Sequence, residues 1–179
     1  MTLVLGGARS GKSRFAQRLA EAYRRVIYLA TAHATDAEMA ERIRRHREAR
    51  PAHWRTVEEG YAPAAALRQA LAGEPADAVV LDCVTLLLSN HLLRSPEDFE
   101  ETARRELVEL IALCRREGVH LIAVSNEVGL GLVPDNPLGR RFRDGQGRVN
   151  QFLAREADQV YACIAGIAVD LRRVGEVIG

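Results

Sequence analysis

Eight residues near the amino terminus combine the groups that bind a chain of phosphates. Residues 6–13 read Gly-Gly-Ala-Arg-Ser-Gly-Lys-Ser and satisfy the spacing G-x-x-x-x-G-K-[ST]. Glycines at the first and sixth positions allow backbone turns that point successive N–H groups at phosphate oxygens, and the helix that follows adds its positive amino end. The residues expected to bind the nucleotide here are Gly6, Gly7, Ala8, Arg9, Ser10, Gly11, Lys12 and Ser13.

Residues 6–13 are thus predicted to form a nucleotide-binding P-loop, and two of its side chains have specific roles. Lys12 is expected to reach the β- and γ-phosphates of a nucleoside triphosphate, and the Ser13 hydroxyl is expected to coordinate Mg²⁺. Of the 25 Lys and Arg residues in the chain, all but Lys12 are arginines. A position that keeps lysine in such a sequence indicates a need for a compact ammonium on a flexible stem. The alternative, an ordinary glycine-rich turn, is therefore disfavoured.

A carboxylate ends the clearest apolar run of the chain. Residues 78–81 read Ala-Val-Val-Leu and are followed by Asp82. This is the place of a Walker-B acid, which holds Mg²⁺ directly or through water at the carboxyl edge of a parallel sheet. Asp82 could also cap the next helix, and the two roles are compatible.

His46 is the candidate nucleophile. It follows Ile43 by three residues and Met39 by seven, so it lies on their face of a predicted helix. Several arginines flank it, and their charge favours the neutral, nucleophilic form of the imidazole. On the residues alone, the favoured interpretation is a half-buried packing histidine on a solvated basic helix. A nucleic-acid patch is weaker still, because aromatic residues for base stacking are missing nearby. The flanking arginines are Arg42, Arg44, Arg45, Arg47 and Arg50.

Two further segments have more than one interpretation. Residues 127–137 form a Gly/Pro-rich stretch after a predicted strand, where α/β proteins bind ligands. Glu127, at its start, could be a metal ligand, a base or an anchor for the loop. The segment 140–148 contains four arginines and could receive an anionic substrate or simply solvate a helix.

The elements that must position these residues alternate between strand and helix. Apolar runs and helical spacing predict strands at 3–5, 26–30, 54–58, 78–82, 119–124 and 160–165. Predicted helices cover 12–25, 63–72, the stretch from a capping box at Thr35 to just before Pro51, the stretch from Ser95 to Gly118, and the arginine-rich segment after Pro137. This order predicts a single α/β domain over 1–179, a RecA-like P-loop NTPase with a mostly parallel sheet and helices on both faces.

Composition indicates which partners and which location the protein is expected to have. The formal net charge is +1, which gives no bulk attraction to nucleic acid or to a membrane. No apolar run reaches membrane-spanning length, and the three cysteines, which lack a CxxC pairing, favour neither zinc nor a disulfide framework. We expect a cytoplasmic protein that binds no nucleic acid and spans no membrane.

Five segments together resemble a known enzyme family. They are GGARSGKS (6–13), VIYLATA (26–32), ERIRRHREARPAHWRTVE (41–58), VVLDCVTLLLSN (79–90) and VSNEVGLGLVPDNPLGRRFRDGQGRVNQ (124–151). The chain resembles the bifunctional adenosylcobinamide kinase / adenosylcobinamide-phosphate guanylyltransferases of cobalamin biosynthesis over nearly its whole length.

The resemblance implies two reactions with Mg²⁺. ATP or GTP phosphorylates the aminopropanol hydroxyl of adenosylcobinamide; GTP then places GMP on a histidine, and GMP passes to adenosylcobinamide phosphate to give adenosylcobinamide-GDP. The family's histidine precedes an RPxxW segment, which implies His46, with His53 as its rival. The resemblance also implies a homo-oligomer, a trimer. The implied nucleotide contacts outside the P-loop are Ala30, Thr31, Ala32, Arg50, Pro51, Ala52, Glu58 and Asp82, and the implied metal ligands are Ser13 and Asp82.

Two other functions fit the P-loop alone. One is a small-molecule kinase without nucleotidyl transfer. The other is a GTP-binding switch, which the sequence disfavours because it lacks the base-selecting N-K-x-D signature.

Overall fold

A computed structural model of the chain describes residues 1–34, 36–48, 50–176 and 178, without the side chain of Arg42. Within these described residues, seven strands form one sheet in the order β3-β2-β4-β5-β1-β6-β7. All neighbouring pairs are parallel except β6 and β7, which form an antiparallel hairpin at one edge. The predicted α/β architecture with a mostly parallel sheet is therefore present.

The strands and helices alternate along most of the chain. The strands are β1 (Thr2–Gly6), β2 (Val26–Ala30), β3 (Arg55–Glu58), β4 (Ala78–Asp82), β5 (His120–Asn126), β6 (Gln159–Ile164) and β7 (Ile167–Asp170). The helices are α1 (Lys12–Ala20), α2 (Ala37–Glu48), α3 (Pro63–Gly73), α4 (Val84–Arg94), α5 (Phe99–Glu117), α6 (Pro137–Glu156) and α7 (Leu171–Val174). Among the described residues, no helix combines the length and apolarity needed to cross a bilayer.

Alternate residues of the central strands pack into two hydrophobic cores, one on each face of the sheet. On one face, Leu29 and Leu81 pack with side chains from α3, α4, α5 and α6. On the other face, Val4 and Val80 pack with Ala16 of α1 and with Trp54. Because successive side chains of a strand point to opposite faces, an apolar run such as 78–81 requires cover on both sides. The sheet is thus a rigid base whose carboxyl edge presents the loops.

Several predicted boundaries hold, and the predicted helix start at Ser95 is wrong. Strands β2 and β4 coincide with the predicted 26–30 and 78–82. Gly118 ends α5 in the left-handed conformation with φ 67°, as expected for a glycine after a helix. Ser95, however, does not cap α5, which begins at Phe99. Its amide instead donates to His91 O at 2.8 Å and closes α4, and the chain turns through Pro96 before α5 starts.

Other differences concern the ends of elements. Helix α1 stops at Ala20 rather than Arg25, because the chain must turn into β2 at Val26. Thr35 lies outside the described residues, and Asp36 takes the capping role: its Oδ1 accepts from the Met39 amide at 2.7 Å. The sequence pattern also missed α4, β7 and α7.

Candidate functional site

The P-loop joins β1 to α1, and its glycines sit where larger residues would collide. A Cβ on Gly6 would lie 2.5 Å from Ser10 Oγ and 2.6 Å from Cys163 O. Gly11 has φ 93°, a left-handed conformation, immediately before the first residue of α1. The amides of the first helical turn, which have no acceptor within the helix, therefore face the space beside the loop.

Lys12 lies across the mouth of this loop. Its Nζ donates to Gly7 O at 3.1 Å. Burial raises the pKa of Cys83 to about 12 and also raises the pKa of Cys163, and the charge of Lys12 acts in the opposite direction on both. The ammonium thus lies within electrostatic reach of residue 83, which directly follows Asp82.

Asp82 stands at the carboxyl end of β4, half-buried, with β5 between it and the P-loop strand. Two strand spacings correspond to roughly 10 Å, a gap that a triphosphate and a metal ion can fill. Its Oδ2 accepts a hydrogen bond from the Tyr28 hydroxyl. Burial, and then the negative charge of Asp82, raise the pKa of Tyr28 well above its usual value, so the phenol stays a donor.

The donors present fit Mg²⁺. Within the described part of the chain, no group of three or more His, Cys, Asp or Glu side chains converges as a metal cage. Mg²⁺ bound with nucleotide phosphates needs only one or two protein oxygens and keeps several waters. The Asp82 carboxylate and the Ser13 hydroxyl, in the first turn of α1, supply hard oxygens of that number.

Residues 30–32 comprise the last residue of β2 and the two residues that follow it, and Ala30 pairs in register with Asp82. The Thr31 amide donates to Asp82 O at 3.1 Å. The Thr31 hydroxyl is fully buried; it donates to Cys83 O at 2.7 Å and accepts from the Cys83 amide at 2.8 Å. Asn90, which the sequence did not single out, donates to both Thr31 O and Gly60 O at 2.9 Å. Thr31 and Asn90 therefore fix the ends of β2 and β4; Ala30 is the last residue of β2, and Ala32 follows Thr31.

His46 lies in the last turn of α2 on its less exposed face. Met39, Ile43 and His46 are half-buried while most of the helix is exposed, as the spacing predicts. Next to it, Arg47 approaches the carboxylate of Glu58 at 3.7 Å, which brings the end of α2 near the carboxyl end of β3. The strand register pairs Glu58 with Ala30.

The arginines around His46 are partly neutralised. Arg44 pairs with Glu41 and Glu48, and Arg45 pairs with Glu41 at 2.7 Å. Arg44 and then Arg45 hold the pKa of the exposed Glu41 carboxyl at about 2. The positive field expected to keep His46 neutral is thus weaker than a count of arginines suggests.

Arg50 contacts two side chains of neighbouring strands. Its guanidinium carbon lies 3.5 Å from the centroid of the Tyr28 ring, and its Nη1 donates to Thr56 Oγ1 at 3.2 Å. Pro51 O accepts from the Trp54 amide at 3.0 Å in the turn before β3, and Ala52 is exposed in that turn.

The two candidate histidines lie in different surroundings. His53 precedes β3 and lines a surface cavity with residues at the amino ends of β2 and β4, among them Arg25 and Asp77. Arg25 Nη2 and Asp77 Oδ1 form an ion pair at 2.5 Å there. His53 is therefore at the edge of the sheet opposite the P-loop, and His46 is the better placed candidate.

The loop after β5 touches the P-loop. The Glu127 amide donates to Gly6 O at 3.2 Å, and its Oε1 accepts from the Gly129 amide at 3.1 Å. Arg143 donates to Gly129 O at 2.8 Å, and Arg140 to Pro134 O at 3.0 Å. These contacts favour an anchoring role for Glu127 and for two of the four arginines of 140–148.

Comparisons with known proteins show the family to which the chain belongs. A family model described as "Cobinamide kinase / cobinamide phosphate guanyltransferase" matches residues 2–171. The chain is 43% identical to the bifunctional adenosylcobalamin biosynthesis protein CobU of Salmonella typhimurium over 96% of its own length and 99% of that protein. It is 44% identical to CobP, of the same description, from Pseudomonas aeruginosa, over 95% of this chain and 96% of that one.

A solved structure supports the fold independently. The KaiC-like protein PH0186 from Pyrococcus horikoshii OT3 superposes with a TM-score of 0.52 at 14% identity, over 90% of this chain and 69% of that one. The predicted RecA-like P-loop fold is thereby confirmed. With the family model matching almost from end to end and relatives above 40% identity, the chain belongs to the cobinamide kinase / cobinamide phosphate guanyltransferase family of bifunctional enzymes.

Proposed function

We propose that this enzyme phosphorylates adenosylcobinamide and then transfers GMP from GTP, through a guanylylated His46, to adenosylcobinamide phosphate. The product is adenosylcobinamide-GDP. The observation that carries the proposal is the arrangement of one phosphate-binding loop, one carboxylate across β5, and a half-buried histidine on a helix whose end reaches Glu58.

In the kinase half, the amides of residues 6–13 and Lys12 bind the triphosphate of ATP or GTP. The substrate hydroxyl attacks the γ-phosphorus, its proton leaves to solvent or a base, and the nucleoside diphosphate departs. Ser13 and Asp82 would hold Mg²⁺, which would neutralise charge on the phosphates when bound. Catalysis by the chain is mostly positioning and electrostatic stabilisation.

In the transfer half, a ring nitrogen of His46 attacks the α-phosphorus of GTP and pyrophosphate leaves. A phosphate oxygen of adenosylcobinamide phosphate then attacks the same phosphorus, and the histidine nitrogen is the leaving group. Arg50 and Glu58, with Ala30, Thr31, Ala32, Pro51 and Ala52, are the proposed contacts of the guanine nucleotide. A covalent intermediate splits one displacement into two and predicts ping-pong kinetics for this half.

The names of the relatives support this division. The curated relatives of similar length are named as bifunctional adenosylcobalamin biosynthesis proteins. By resemblance to the family we also propose that one domain of 1–179 carries both activities and acts as a cytoplasmic homo-oligomer, a trimer.

GTP labelled on its α-phosphate tests the proposal. We expect label bound covalently to the wild-type protein, lost in acid and stable in alkali, as for a phosphoramidate. His46→Asn should lose the label but still phosphorylate adenosylcobinamide. His53→Asn is the matched control, because His53 is close to His46 in sequence but lies at the opposite edge of the sheet from the P-loop. This variant should be labelled normally.

Two outcomes contradict the mechanism. Label retained in His46→Asn but lost in His53→Asn transfers the role to the other histidine. No covalent label at all, with phosphorylation intact, leaves a kinase without nucleotidyl transfer.

A further inference from the structure

Tyr28 lies in the interior of the sheet with a polar group that must find partners. It is the third residue of β2, pairs in register with Thr56 on one side and Val80 on the other, and is 1% exposed. Its ring packs in the core between the sheet and α1. A tyrosine in such a place usually bonds its hydroxyl to a defined partner, since an unpaired buried hydroxyl is costly.

The Tyr28 hydroxyl donates a hydrogen bond to Asp82 Oδ2. Because the hydroxyl has one hydrogen, that hydrogen is directed at the carboxylate. The middle of β2 is thus connected through Tyr28 to the carboxylate at the end of β4.

The face of the Tyr28 ring contacts a different part of the site. The Arg50 guanidinium stacks on it at 3.5 Å and is held from the side by Thr56 Oγ1 at 3.2 Å. Arg50 Nε is buried and has no hydrogen-bond partner in the described part of the chain. Stacking leaves the edge of a guanidinium available to bind an anion. Arg50 follows His46 by four residues.

We propose that Tyr28 is a positioning residue for both half-reactions. Its hydroxyl fixes one oxygen of Asp82 so that the other faces the metal and phosphates, and its ring holds Arg50 for the guanine nucleotide. The inference rests on the proposed function, since Asp82 and Arg50 have their roles there.

Tyr28→Phe removes the hydroxyl and keeps the ring, so it separates the two contacts. We expect the Mg²⁺ concentration for half-maximal binding of α,β-methylene-GTP, measured by calorimetry without turnover, to rise about tenfold, on the scale of losing one hydrogen bond to a charged group. At saturating Mg²⁺, the rate of His46 labelling by GTP should stay within about twofold of wild type. Tyr28→Leu, which also removes the ring, should slow labelling even at saturating Mg²⁺.

Controls keep structural damage apart from positioning. Tyr161→Phe removes another hydroxyl, on a half-buried ring that packs against Phe15, and should leave the Mg²⁺ dependence unchanged. In an Asp82→Asn background, adding Tyr28→Phe should have little further effect on Mg²⁺ dependence, because the hydroxyl acts through that carboxylate.

The outcomes separate this inference from the proposed function. If the wild-type protein binds the nucleotide without any dependence on Mg²⁺ and forms no labelled histidine, the proposed function fails. If the wild type behaves as proposed but Tyr28→Phe shows wild-type Mg²⁺ dependence, or shows the same effect in the Asp82→Asn background, the positioning role of Tyr28 is wrong.

Discussion

The amide of Gly166 donates a hydrogen bond to the carbonyl oxygen of Ser10 at 3.0 Å. Gly166 lies in the two-residue turn between β6 and β7, whose residues Ala165 and Gly166 both have positive φ, at 51° and 82°. This is the turn geometry that suits a tight hairpin. An edge hairpin thus supports the outer side of the P-loop, a contact that joins residues more than 150 positions apart.

Gly166→Ala tests that support. A Cβ in the left-handed conformation costs roughly 1–2 kcal/mol, so we expect the free energy of unfolding to fall by about that amount in urea. We also expect weaker binding of GTP, measured by calorimetry, because the strained turn shifts the carbonyl of Ser10.

Gly118→Ala is the matched control for this change. Gly118 has φ 67° and open space around its Cβ position, but it precedes β5 at the amino edge of the sheet. It should lose similar stability and keep wild-type affinity for GTP. Equal GTP affinity in both variants would show that the hairpin does not support the loop.

Lys12→Ala should disable both half-reactions, because one loop serves both. Removing one preorganised donor to developing charge costs on the order of 10²–10³ in kcat. Lys12→Arg should restore little of this, since a planar guanidinium does not match the place of a compact ammonium. Rates of cobinamide phosphorylation and of histidine labelling measure the two effects. The prediction is wrong if Lys12→Ala abolishes phosphorylation and labels His46 at the wild-type rate.

Gly60→Ala should disturb the ends of β2 and β3. A Cβ there would lie 1.9 Å from His33 Nε2 and 2.6 Å from Asn90 Nδ2. The exposed His33 ring can move, but Asn90 is held by Thr31 O and Gly60 O. We expect about 1–3 kcal/mol of destabilisation in urea unfolding.

The double variant Gly60→Ala/His33→Ala identifies which neighbouring side chain, His33 or Asn90, excludes a Cβ at residue 60. It should recover only part of the lost stability if Asn90 is the constraint. Full recovery would mean that the His33 contact alone excludes a side chain at residue 60.

Stability should fall as the pH drops below neutrality. Burial holds the pKa of His91 and of His120 below the usual value. Well above pH 6.5 these histidines are neutral in both folded and unfolded chains, so they add no pH dependence there. Below it the unfolded chain binds protons that the folded chain does not, and unfolding becomes more favourable.

Urea unfolding at pH 7.5 and pH 5.5 measures this effect. The difference between the two midpoints should shrink in His91→Gln, whose amide can still donate to Tyr61 O, and shrink further when His120→Gln is added. An unchanged difference in the double variant would contradict the assignment.

Local signals in the sequence predicted much of the fold. The runs at 26–30 and 78–82 became β2 and β4 with the same limits, and the left-handed glycine at 118 ended its helix. These features depend on contacts between near neighbours in the chain, so a short window of residues contains the information. The placement of Ser95 failed because three polar or turn residues follow it before α5, and each of them is compatible with a helix start.

The sequence by itself determined which functional groups are present: a phosphate-binding loop with one lysine, a carboxylate after a buried strand, and a histidine on the less exposed face of a basic helix. The order of the strands was decided only by the tertiary structure, because pairing depends on contacts between distant segments. That order places β5 between the P-loop and Asp82, joins Gly166 to Ser10, and brings Tyr28 between Asp82 and Arg50. It also places His53 at the opposite edge from the P-loop, since a residue that precedes a parallel strand lies where the strand begins.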